Sequence, residues 1–138
     1  MKKYLNYALL YAGFAMAGGV FYREFTKWKG FSGPTALGKV HAHLFMLGMV
    51  VFMLISLFVQ VTDCQEQKAF RAFMCVYNIG VPLTAWMLLV RGICQVQGSN
   101  LPIGWDHAIS GVAGLGHILT GLGLVLLLVA LKKSRAHA

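Results

Sequence analysis

Four stretches of this chain carry no Asp, Glu, Lys or Arg: Tyr4–Tyr22, Val40–Thr62, Phe73–Val90 and Ala108–Leu131. Each is about 18–24 residues long, enough for a helix to cross a hydrocarbon core of about 30 Å. Barrel strands are a poorer reading. They need only about 10 residues and alternate polar with apolar positions. In lipid every backbone polar group must be satisfied within the segment, which again selects helices. Composition agrees: only 12% of the 138 residues are charged and 58% are hydrophobic, against about 25% charged in a soluble domain. A soluble globular fold, a disordered chain and a coiled coil are thereby set aside. The expected architecture is all-α, a four-helix transmembrane bundle forming one integral membrane domain over residues 1–138. The first run has a competing reading as a signal peptide, because Lys2 and Lys3 precede it and small residues lie near its end. Cleavage there would leave three spans and put the chain ends on opposite sides.

The net charge is +8, from 12 Lys and Arg against 4 acids. These bases sit at the ends of apolar runs, where membrane topology and lipid head groups call for them, so no nucleic-acid partner is expected. Three connections join the spans: Arg23–Lys39, Asp63–Ala72 and Arg91–His107, the last with the breakers Gly98-Ser99-Asn100-Leu101-Pro102. With four spans both ends share a side. That side holds Lys2, Lys3, Lys68, Arg71, Lys132, Lys133 and Arg135, and the other holds Arg23, Lys27, Lys29, Lys39 and Arg91. Seven bases against five favour cytoplasmic N- and C-termini. The concentration of bases in the first outer connection asks for its own explanation. Cys64, Cys75 and Cys94 form no CxxC pair; Cys64 and Cys75 fall on the cytoplasmic side as reduced thiols, and Cys75 and Cys94 read as packing residues.

Small residues mark faces where membrane helices approach closely. Gly13 and Ala17 are four apart in the first span, and Ser110, Gly114, His117 and Gly121 share one face of the fourth. That face either packs on another helix or leaves room for a flat cofactor beside His117. In the third span Pro82 predicts a kink, with Asn78 one turn before it on the same face.

Ionisable residues inside a span are costly and so mark candidate sites. His137 in the tail carries no such signal, which leaves His41, His43, His107 and His117. His41 and His43 are two apart on a helix and therefore point to opposite sides. They do not chelate one ion, and no Cys or carboxylate stands at the spacing a zinc site needs. Divergent histidines in apolar surroundings suit a non-covalent heme b, which needs one or two axial imidazoles and a large apolar slot. No CxxCH occurs, so covalent attachment is not expected. His117 is a further candidate ligand. His107, ten residues before it, is a candidate contact for a cofactor's acid groups or an interfacial residue.

The His41-Ala42-His43 triplet on the second of four spans resembles the catalytic subunit of heme-copper oxidases. In that family three pseudo-repeats of four helices form a ring, and one HxH triplet serves two different hemes. The chain resembles a single such repeat, and also a small, uncharacterised bacterial membrane family of this size. The resemblance implies a homotrimer in a bacterial inner membrane. In it, inter-subunit hemes take His41 from one protomer and His43 from the next, through a heterologous closed interface. It also implies propionates facing outward towards Arg23, Lys27, Lys29, Lys39 and His107. The oxidase copper site has no counterpart, since there is no His-His pair and no histidine on the third span. The implied role is a bis-histidine cytochrome for electron transfer or heme handling, with no redox partner indicated and no oxygen reduction expected. A heme inside one bundle, held by His117 with His41 or His43, is the second possibility. The sequence disfavours it, because His117 is expected roughly two turns deeper than the pair. A transporter or channel component lined by Asn78, Pro82, Thr84 and His117, and a structural subunit of a larger complex, are the other readings.

Overall fold

The computed structural model describes residues 1–99 and 102–136. Asn100 and Leu101 of the expected breaker loop, and His137, lie outside the described residues. Four helices long and apolar enough to cross a membrane make up the chain: α1 (Lys2–Trp28), α2 (Leu37–Val61), α3 (Lys68–Gln97) and α4 (Ile103–Lys133). Most exceed the apolar runs that announced them. Lys and Arg stems lie comfortably along apolar surface with their heads in the polar layer, so helices continue into their basic ends. The first and third connections shrink accordingly. Arg23 and Lys27 belong to α1, Lys39 to α2, Arg91 to α3 and His107 to α4.

The helices follow one another in a row rather than closing into a bundle. α1 packs on α2, α2 also on α3, and α3 on α4. The α1 seam is Tyr4, Ala8, Tyr11 and Ala15, spaced to lie on one face. Gly13 and Ala17 point outward instead, so the small pair expected to mark a contact is not the contact. The reason is aromatic: the Tyr11 ring stacks on Phe52 with centroids 5.6 Å apart and lies over Gly48, where any Cβ would strike it.

The α3–α4 seam is closer still. A Cβ on Gly80 would fall 2.6 Å from the Thr120 backbone nitrogen, and one on Gly116 2.7 Å from the Thr84 hydroxyl oxygen. The buried face of α4 is therefore Gly116, Thr120, Gly123 and Leu127. The other small face is open at its glycines: a Cβ at Gly111, Gly114 or Gly121 would meet nothing within 4 Å. On the Ser110–Gly114–His117–Gly121 face, Gly114 and Gly121 therefore do not pack within the chain.

α2 begins as an α-helix over Leu37–His43, widens to a π-helix over Leu44–Val50 and resumes as an α-helix over Val51–Val61. Such widened turns cluster at functional sites, and this one starts directly after His43. They also disturb the backbone hydrogen-bond ladder, which membrane interiors tolerate only with replacement partners. The Tyr77 hydroxyl is such a partner, donating to the Leu47 carbonyl at 2.7 Å from a fully buried ring. Tyr77→Phe keeps the ring and removes only this donor. Thermal unfolding in detergent is expected to show a loss of about 1 kcal/mol. An unchanged melting curve would mean the π segment is held by packing alone.

α3 runs unbroken through Pro82. It ends at Gly98, whose φ of 63° closes the helix in the left-handed region, open to glycine at little cost. At the opposite end of the molecule the tail is tied down. Asp63 N–H donates to the Arg135 carbonyl at 3.1 Å, and Arg135 N–H donates to Asp63 Oδ1 at 2.7 Å. Cys64 is buried, Cys94 half-buried and Cys75 exposed, so a packing role fails for Cys75.

Candidate functional site

The start of α2 is fixed on α3 by three interactions. Thr35 Oγ1 donates to the Gly92 carbonyl at 3.1 Å, Ala36 N–H donates to Gln95 Oε1 at 2.7 Å, and Gly92 lets Leu37 come against the α3 backbone. α4 is fixed on the same helix through the Gly80–Thr120 and Thr84–Gly116 contacts. α3 thus acts as the common ruler for α2 and α4.

That ruler brings His43 and His117 together. Their ring centroids are 6.0 Å apart with planes at 85°. The expectation that His117 lies about two turns deeper is overturned. Depth was judged from the starts of the apolar runs, but α4 begins at Ile103, well outside the level at which α2 begins. Leu37 is level with Gly92, whereas Gly116 is level with Thr84 further in.

Both rings are held alike. His43 Nδ1 lies 2.9 Å from the Lys39 carbonyl, and His117 Nδ1 lies 2.8 Å from the Ala113 carbonyl. A carbonyl only accepts, so each Nδ1 carries the proton. In the neutral ring Nε2 then presents its lone pair. Metal-ligating histidines are commonly oriented in this way. Both rings lie on the open side of the helices, next to the unfilled space at Gly114 and Gly121.

His41 turns the other way, as its spacing requires. Its ring lies 3.7 Å from where a Cβ on Gly19 of α1 would stand. Its Nδ1 is buried with no hydrogen-bond partner, a costly state in apolar surroundings. His41 and His43 therefore serve different sides of α2, and only His43 meets His117.

The remaining predicted contacts crowd the end of the molecule where α1 ends and α2 and α4 begin. Arg23, Lys27, Lys29, Lys39 and His107 are all exposed. Arg23 has only a loose ion pair with Glu24 at 3.8 Å. The sequence reading missed Arg91 as a site residue. Its guanidinium donates to Asp106 Oδ1 at 3.1 Å and to Ser110 Oγ at 2.6 Å, and Ser110 shares a face with His117. The signal available was the pairing of the one base in α3's outer half with the one acid in α4. Asp106→Asn is expected to cost less than about 1 kcal/mol in unfolding, because the pair is half-exposed. A larger loss would make this pair a main clamp on α4.

Asn78, Pro82, Thr84 and His117 do not line one path. Thr84 is buried against α4, while Asn78 and Pro82 face a separate cleft between α1 and α3. Among the described residues no three His, Cys, Asp or Glu side chains gather into a metal-binding group. The metal chemistry open to this geometry is thus that of two neighbouring imidazoles.

These features define a polytopic α-helical protein of lipid surroundings, with two histidines held in register by a shared third helix. Over residues 1–134 the chain matches the family described as "Protein of unknown function (DUF2871)", and it belongs to that family. No curated protein and no solved structure matches it. Nothing in the family match connects the chain with heme-copper oxidases.

Proposed function

We propose that this protein is a membrane b-type heme-binding protein in which His43 and His117 of one chain supply both axial imidazoles. The observation that carries the reading is the spacing of the two rings, 6.0 Å between centroids. Two imidazoles bound through Nε2 to one metal at about 2 Å each stand about 6 Å apart, centre to centre. Their Nδ1 protons are already committed to carbonyls, which leaves Nε2 of each ring as the ligating nitrogen. Gly114 and Gly121 leave the adjoining α4 face clear of side chains. Arg23, Lys27, Lys29, Lys39, Arg91 and His107 provide a basic outer end for carboxylates. Heme, if held there by His43 and His117, would supply one-electron chemistry. The function class is therefore electron transfer or heme handling in a bacterial inner membrane. The seven-to-five distribution of bases supports cytoplasmic termini for this reading.

A second reading retains the homotrimer, with His41 of one protomer and His43 of the next sharing each heme. The divergence of His41 towards α1 and the unpartnered Nδ1 of His41 favour it. The experiment is an absorption spectrum of the purified protein, oxidised and dithionite-reduced, for wild type and for His41→Ala. A Soret band that survives His41→Ala supports the single-chain site. A band lost in His41→Ala, in a particle of three chains, supports the trimer. A colourless wild type from heme-supplied cells sinks both and leaves the transport and structural-subunit readings.

A further inference from the structure

α1 packs mainly on α2 and meets α3 at its start, where the Tyr4 and Phe70 rings lie 5.8 Å apart; beyond that point a cleft remains between α1 and α3. It has a volume of about 620 Å³, within the usual range for small-molecule sites. It runs along the helices from Tyr7 to Phe21 on α1 and from Asn78 to Leu89 on α3, and shares no residue with the His43–His117 pair. Its walls are apolar and rich in aromatic rings, among them Phe14 and a Trp86 that is 60% exposed.

One depth of this cleft is polar. Asn78 lines it and donates its amide N–H to the Met74 carbonyl at 2.7 Å. No hydrogen bond among the described residues engages Asn78 Oδ1, and that atom is not sealed from the cleft. The backbone carbonyl of Asn78 also lacks its helical partner, because the residue four positions on is Pro82, which has no N–H. Asn78 thus offers two acceptors inside a membrane span, where unsatisfied groups are expensive. The missing component is a donor.

We propose that the α1–α3 cleft binds an elongated membrane-soluble molecule carrying an aromatic hydroxyl, whose O–H donates to Asn78 while its ring lies against Trp86. A lipid acyl chain has no donor to offer. A second copy of this chain is also a poor fit. Among the described residues in the middle of its spans, the outward-facing strong donor is Trp86, which already lines the cleft, while the ring N–H of His117 is taken by the Ala113 carbonyl. A hydroxyl-bearing aromatic amphiphile satisfies both the acceptors and the apolar walls.

The probe is a decyl-substituted hydroquinone, with its dimethyl ether as the donor-free control. Binding to the full-length protein in nanodiscs is read from Trp86 fluorescence in a Trp28→Phe, Trp105→Phe background. Saturable quenching is expected, about tenfold tighter for the hydroquinone than for the ether. Asn78→Leu and Pro82→Ala should each narrow that gap, the first by removing Oδ1 and the second by restoring an N–H to the Asn78 carbonyl. Ala17→Phe should block both probes by filling the cleft. The same titration on His117→Ala should be unchanged, which separates this site from the heme reading. Absence of saturation overturns the proposal. So does equal affinity for both probes in the unsubstituted cleft, or efficient disulfide cross-linking of Ala17→Cys between two chains.

Discussion

Protein carrying His117→Ala, purified from cells supplied with heme, is expected to show no Soret band, and His43→Ala likewise. Removing a group that merely orients a metal ligand weakens binding about 10–100-fold, and deleting an axial ligand itself should exceed that. Both rings stand at the open side of the molecule and neither supports the core, so circular dichroism and melting in detergent should stay close to wild type. His107→Ala should leave the band in place, since that residue is exposed at the outer start of α4. The informative contrast is with His41→Ala. Heme retained there and lost in His117→Ala assigns the site to one chain. The reverse pattern assigns it to a seam between chains, where His117 is only a neighbour.

Gly116→Val and Gly114→Val should separate folding from binding. The two positions are two residues apart on α4 and face opposite ways. A Cβ at Gly116 would sit 2.7 Å from Thr84 Oγ1 and 3.0 Å from the Thr84 nitrogen, while one at Gly114 meets nothing within 4 Å. Valine at 116 must push α4 off α3, against backbone that cannot turn aside. Overpacking of this kind costs about 1–3 kcal/mol, and the extra branch places Gly116→Val at the upper end. Its melting temperature should fall and, because α3 sets the level of α4, heme should be lost with it. Gly114→Val should melt like wild type yet bind heme poorly, since the added methyls enter the clear space beside His117. A Gly114→Val protein that keeps full heme occupancy would show that the open face is not part of the slot.

Much of the architecture was readable from charge-free run lengths. Four helices follow from the cost of unpaired backbone in lipid, and the divergence of His41 and His43 follows from helical rotation. The contact faces were misjudged. Gly13 and Ala17 looked like an interface but point outward, because the bulky Tyr11 and Phe52 rings set the α1–α2 seam instead. The α3–α4 interface was present as Gly80 and Thr84, and Gly116 and Thr120, each pair four apart. A glycine-rich helix offers several such stripes, and spacing alone does not say which is used. The π segment after His43 had no signal in local composition. It arises where Gly48 admits Tyr11 and where Tyr77 reaches Leu47 from another helix.

The sequence by itself determined the solvent, the number of helices and the residues whose cost in that solvent demands a purpose. Run length and charge decide those things through transfer free energy, which is local to each segment. Only the tertiary structure decided which histidines meet. Relative depth depends on where neighbouring helices touch, and here two glycine contacts on α3 set both α2 and α4. The same arrangement left α1 leaning mainly on α2, with α3 met at Tyr4 and Phe70, and so opened the cleft in which Asn78 presents its two unpaired acceptors.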